Sequence, residues 1–150
     1  MKLSQHFSLD EMLVSQTGAR RGIPNVPTPE VVEELRRLCE LVLQPLRTSL
    51  DRPVIVSSGY RSPELNRAVG GAKNSCHMYG RAADIVVPGL TTYGLCHRIA
   101  SLHLPFRQLI DEFDAWVHVS IEPEGQPPRQ QMLTARKAGN GRTIYLPASF

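Results

Sequence analysis

The amino-acid sequence predicts a single α+β domain, and three observations carry that expectation. Its 150 residues suit one domain with a real hydrophobic core, and no linker, repeat or low-complexity tract divides them. One long stretch places apolar residues at helical spacing, while several short apolar runs are bounded by Gly, Pro and Ser, as strands are. These patterns follow one another without strict alternation, which favours α+β over a doubly wound parallel sheet.

The elements follow in chain order. Ser8 and Glu11 form a capping-box pattern that opens a short helix with Leu9, Met12 and Leu13 on one side. Residues 17–29, rich in Gly and Pro, read as a loop. Thr28 caps a long helix, with Pro29 at its first position and Glu30, Glu33 and Glu34 near its positive end. Val31, Leu35, Leu38, Val42 and Leu46 form its buried stripe, and Pro45 is expected to kink or end it. Val54-Ile55-Val56 reads as a short buried strand stopped by Ser57-Ser58-Gly59. Residues 63–69 read as a helix ended by Gly70-Gly71, and 83–87 as a strand ended by Pro88 and Gly89. A helix over 92–102 turns Leu95, Ile99 and Leu102 inward. Residues 106–113 and 116–121 read as two strands joined by a tight turn at Asp114-Ala115. The tail holds two weaker strand patterns, over 131–135 and 143–146.

Composition narrows the function classes. The net charge of +3 is compatible with an anionic substrate, but no basic run with interleaved aromatics marks a nucleic-acid surface. No segment is long enough to span a membrane. The first residues lack the apolar stretch of a signal peptide, so synthesis and folding in the cytoplasm are expected, with a separate route outward if the substrate lies outside. Three cysteines, an odd number, speak against a disulfide framework, and Cys39 and Cys96 read as small buried hydrophobes.

The strongest chemical signal is the run from Ser75 to Asp84 together with His118. His77 sits in a loop approaching a strand that carries Asp84, and Gly80 allows the intervening chain to turn tightly. His118 lies in a strand flanked by Val117 and Val119. Two imidazoles and a carboxylate are a common donor set for catalytic zinc, leaving a fourth tetrahedral position for a water whose pKa falls to about 7. A hydrogen-bonded core His118 and a loop-capping Asp84 account for the spacing equally well.

The ordered run Ser58-Gly59-Tyr60-Arg61-Ser62-Pro63-Glu64-Leu65-Asn66, then Gly70-Gly71, then Ser75-x-His77-x-x-Gly80-x-Ala82-x-Asp84, resembles peptidase family M15. That family includes zinc D-alanyl-D-alanine carboxypeptidases and phage L-alanyl-D-glutamate endopeptidases. Glu112-Phe113 followed by Trp116-Val117-His118-Val119-Ser120 resembles the closing motif of the phage-type branch. The resemblance covers most of residues 6 to 122. It implies the α+β fold shared with the hedgehog signalling domain, in which an antiparallel sheet flanked by helices carries the metal. It also implies His77, Asp84 and His118 as Zn2+ ligands and residues 1–150 as a single zinc peptidase domain.

Such a peptidase needs a group to take a proton from water and pass it to the leaving amine. Asp111, Glu112 and Asp114 precede His118. A two-residue turn would place Asp111 opposite His118, whereas a three-residue connection would place Glu112 on His118's face. The resemblance favours Glu112, with Asp114 as runner-up. It also implies that Arg61 contacts a substrate carbonyl or carboxylate, for which a planar guanidinium fork is suited. Arg61 could instead pair with Glu64 at the surface. Ser75 either binds substrate or orders its loop. Arg107 stands where the phage-type pattern tends to be acidic. Cys76, beside His77, invites a cysteine-peptidase reading, but adjacent side chains usually point apart. His97 and His103 read as surface or helix-end residues.

These readings add up to a zinc peptidase acting on peptidoglycan stem peptides, either a D-Ala-D-Ala carboxypeptidase or an L-Ala-D-Glu endopeptidase. A monomeric phage or prophage lysis protein, released by a separate holin-type partner, is the expected context. The competing expectation is a non-catalytic peptidoglycan-binding module that keeps the fold.

Overall fold

A computed structural model describes residues 1–150. The helices come first: α1 (Leu9–Leu13), α2 (Gln16–Arg21), α3 (Pro29–Leu38) and α4 (Gln44–Leu50) precede β1 (Ile55–Ser58). Then follow α5 (Pro63–Ala68), β2 (Ala82–Val86), α6 (Thr92–Ser101), β3 (Gln108–Glu112), β4 (Trp116–Ser120), β5 (Gln131–Lys137) and β6 (Thr143–Pro147). The strands form one six-stranded sheet in the order β1-β2-β4-β3-β5-β6. The α+β class matches the sequence expectation. No helix is long and apolar enough to cross a membrane.

Helix starts follow local chemistry. Ser8 and Glu11 make the reciprocal capping box, and the Thr28 hydroxyl accepts from the Val31 N–H ahead of Pro29. Four local expectations are corrected. The start of the expected loop over 17–29 is helical, because Ser15 caps α2 and Gly22 closes it in the left-handed conformation. Pro45 neither ends nor breaks the long helix. A π-helical turn over Cys39–Leu43 joins α3 to α4 just before the proline, and a widened turn there relieves the clash between its ring and the preceding carbonyls. β1 is a half-exposed edge strand rather than a buried one: Ile55 is 47% exposed. Finally, β5 runs parallel to β3, so the sheet is mixed and not wholly antiparallel. β4 ends beside the start of β3, and the chain over 121–130 passes that edge to enter β5 in the direction of β3.

The two faces of the sheet divide the labour. Ile85, Leu109, Val117 and Val119 point to one side and join Leu35, Leu38, Val42, Leu46, Leu95 and Ile99 in the core. The alternate residues Asp84, Ile110, Glu112, Trp116 and His118 face an open cleft on the other side.

Candidate metal centre

His77 is set by a short 3-10 turn, Cys76–Tyr79, capped by the Ser75 hydroxyl, which accepts the His77 backbone N–H at 3.2 Å. Gly80 ends the turn at φ 75°, and a Cβ there would lie 2.8 Å from the Val31 carbonyl oxygen, so only glycine fits. The imidazole is buried, and its Nδ1–H donates to the Gly59 carbonyl at 2.7 Å. Gly59 is itself pressed on α1, where a Cβ would stand 2.5 Å from the Met12 carbonyl oxygen. The chain approach at Gly59 therefore fixes the ring of His77 and leaves its Nε2 to face Asp84.

Asp84 and His118 are direct cross-strand partners on β2 and β4. His118 Nδ1 lies 3.0 Å from Asp84 Oδ1, and His77 Nε2 lies 3.3 Å from the same oxygen. The His77 and His118 rings meet edge to face with centroids 5.1 Å apart. One donor atom from each of the three residues lies within 4.8 Å of the others, a group that could hold a metal ion.

Electrostatics test that fit. Burial pushes the His77 pKa down, more than its contact with Asp84 raises it, so the ring is neutral at pH 7. With its proton on Nδ1 for Gly59, it presents a bare nitrogen to a carboxylate oxygen 3.3 Å away. A lone pair facing a carboxylate is unfavourable, and a cation between them removes the repulsion. Burial pushes the Asp84 carboxyl up, but the hydrogen bond from His118 and the polar surroundings of the site outweigh it and hold the group ionised, well below the usual carboxylate range. Two imidazole nitrogens and an ionised carboxylate match the donor chemistry of a divalent transition-metal site.

The β3–β4 connection decides where the acids go. Glu112 pairs with Trp116 and Ile110 with His118, so three residues, Phe113, Asp114 and Ala115, make the turn rather than two. Phe113 and Asp114 both adopt positive φ, 60° and 54°. This register puts Glu112 on the face of His118, with Oε1 3.9 Å from His118 Nδ1. Asp111 is buried on the opposite face, and Asp114 is exposed on the turn, outside the cleft. Burial pushes the Glu112 carboxyl up, against the lowering influence of His118 and Arg61.

Arg61 leaves Glu64 alone and turns into the cleft, where its Nη2 donates to the Ser75 hydroxyl at 3.3 Å and its buried Nε has no acceptor. Burial lowers its pKa, offset by the charges of Asp84 and Glu112. Ser75 thus orders the loop and holds Arg61 at once. Arg107 pairs with Glu122 at 3.1 Å, and Cys76 lines the cleft as a free thiol. His97 and His103 are exposed and distant from the site. Sequence reasoning overlooked the carbonyl of Gly59, the indole of Trp116 beside Glu112, and Tyr145. The glycine within the Ser58–Arg61 motif was the one available signal; Tyr145 had none, because the pairing of the tail strands cannot be read from their own residues. The cleft encloses about 650 Å³.

The model of the family described as Peptidase M15 matches residues 5–120. A zinc D-Ala-D-Ala carboxypeptidase of Streptomyces albus G is 47% identical over 55 residues, covering 36% of this chain and 20% of that protein. The chain thus aligns with about a fifth of that relative's length. With the family match extending over well more than half of the residues, from the first capping box to the end of β4, this chain belongs to peptidase family M15.

Proposed function

We propose that this domain is a zinc-dependent peptidase that hydrolyses a peptide bond in the stem peptides of peptidoglycan. The observation that carries the reading is the convergence of His77, Asp84 and His118 within 4.8 Å at the floor of a cleft that also holds Glu112 and Arg61. His77, Asp84 and His118 would hold Zn2+, which when bound would supply Lewis acidity and lower the pKa of a water toward neutrality. Gly59 orients the His77 ring, as the outer partner of a ligating histidine does. Glu112, its carboxyl raised by burial, accepts the proton given up on attack and returns it to the departing amine. Arg61, steadied by Ser75, donates its unpaired N–H groups to the substrate carbonyl or carboxylate and balances the developing negative charge.

The cell-wall substrate is supported by the relative of Streptomyces albus G, named for D-Ala-D-Ala cleavage. The phage-type closing motif from Glu112 to Ser120 supports a monomeric endolysin in a phage or prophage lysis context, reaching the wall through a holin-type partner. Metal analysis of the purified protein and digestion of purified peptidoglycan, before and after chelation, test the proposal. One zinc per chain and chelator-sensitive release of peptide are expected. Zinc without turnover would overturn the peptidase reading in favour of a binding module. Mass spectrometry of the digest names the bond: loss of a terminal D-Ala marks a carboxypeptidase, and a new amino-terminal D-Glu marks an endopeptidase.

A further inference from the structure

The β5–β6 hairpin lies beyond the residues matched by the family, yet it borders the same cleft as the metal ligands. Its register is informative. Trp116 pairs with Glu112, Glu112 with Ala135, and Ala135 with Tyr145, so these four residues form one row across β4, β3, β5 and β6. The residue between Glu112 and Tyr145 is an alanine, fully covered, whose methyl leaves the space above it to larger neighbours. Tyr145 is 53% exposed and lines the cleft, so its ring is open to a molecule bound there. The hairpin is tied to the β3–β4 turn, since the Phe113 N–H donates to the Ala135 carbonyl at 3.0 Å and the Lys137 ammonium sits 5.2 Å over the Phe113 ring. Neighbouring strands lie about 4.8 Å apart, so the backbones of Glu112 and Tyr145 stand roughly 10 Å apart, and both side chains line the one cleft.

We propose that Tyr145 is a substrate-binding residue of this peptidase, its ring packing on the bound peptide and its phenol donating a hydrogen bond to a peptide carbonyl next to the scissile bond. The proposal rests on the peptidase reading above and extends its site to a strand outside the family match. The phenol is pushed up first by burial and then by the negative charges of Glu112 and Asp84, which agrees with its facing the reaction centre. A neutral phenol is the form that donates.

Trp116 is the only tryptophan and lines the cleft, so its fluorescence reports occupancy. The test is titration of soluble muropeptides bearing the full stem peptide into zinc-loaded Glu112→Gln protein, which binds without turnover, with and without a change at Tyr145. Tyr145→Phe is expected to raise Kd by about 3- to 10-fold, the worth of one neutral hydrogen bond, and Tyr145→Ala by more. Tyr93→Phe, on α6 outside the cleft, leaves Kd unchanged, and zinc content and unfolding midpoint stay the same in all variants. In the Glu112-intact enzyme, Tyr145→Phe raises KM more than it lowers kcat. Equal Kd with and without Tyr145 overturns this assignment alone. No binding by any variant, Tyr145 intact included, overturns the peptidoglycan reading and the assignment with it.

Discussion

The two faces of the central sheet are built from alternate residues of the same strands, yet they obey different rules. On β4, Val117 and Val119 are wholly buried in the core while His118 between them faces the cleft. On β3, Leu109 and Asp111 point inward while Ile110 and Glu112 point to the site. The inner face gains from shape and apolar contact. The outer face concentrates two imidazoles, two carboxylates and a guanidinium, an arrangement of mutual repulsion and desolvation that contributes little to stability by itself. Chemistry and stability are thus carried by neighbouring positions on the same strands and are separable by substitution.

The sharpest separation should appear at the proposed metal ligands. Asp84→Ala or His118→Ala is expected to abolish stoichiometric zinc and reduce peptidoglycan turnover by about a thousandfold or more, since attack then lacks an activated water. The metal-free variants should still fold, with the circular dichroism of the metal-free parent. Full zinc binding by either variant would remove that residue from the ligand set.

Glu112 separates binding from turnover. Glu112→Gln is expected to keep one zinc per chain and lose about 10²- to 10⁴-fold in kcat, while Asp114→Asn, on the exposed turn, retains activity. Metal content by mass spectrometry and rates on muropeptides check both. Normal turnover by Glu112→Gln would remove it as the proton carrier.

On the opposite face the pattern should invert. Leu109→Ala, at a wholly buried position, is expected to cost about 2–5 kcal/mol of stability, read from urea unfolding. The folded fraction should keep its zinc and its KM. Loss of zinc at unchanged stability would break the comparison, because it would show the core side of β3 acting directly on the site.

How much of this was legible in the sequence depends on whether the signal was local. Ser8-Glu11 and Thr28-Pro29 announce helix starts because capping is completed within one turn of chain. His77, Asp84 and His118 were legible as candidate donors because their types and order are distinctive, and the structure brings them together in a group that could hold a metal. Placing Glu112 required the length of one turn, and nothing local announces that a Phe will accept φ 60°. The turn is held by a bond from another strand, the Ala135 carbonyl accepting from the Phe113 N–H. The π-helical turn before Pro45 and the parallel pairing of β5 are likewise tertiary outcomes, decided by how the long helix and the 121–130 crossing meet the rest of the molecule. Tyr145 belongs with them: its place beside the site exists only through a register that runs across four strands.

The smallest expected effect tests the inner face through its thiols. Burial pushes the Cys39 thiol up to about 12, helped by the nearby charges of Glu11 and Glu40 and opposed by Arg36. Burial likewise raises Cys96, with Asp111 adding to it. In the unfolded chain both titrate near 8.5. A raised folded pKa means that the folded state holds its proton more tightly, so this contribution is fully present below about pH 8.5 and is lost as pH rises toward 12. The unfolding midpoint should therefore fall through that window, and fall less steeply in Cys39→Ala after allowing for its lost packing. At pH 8, Cys76 in the cleft should react with a thiol reagent in the native protein, while Cys39 and Cys96 react only on unfolding. Rapid native labelling of Cys39 would mean that the π-helical turn opens far more readily than the rest of the core, and the inner face could then no longer be treated as one packed unit.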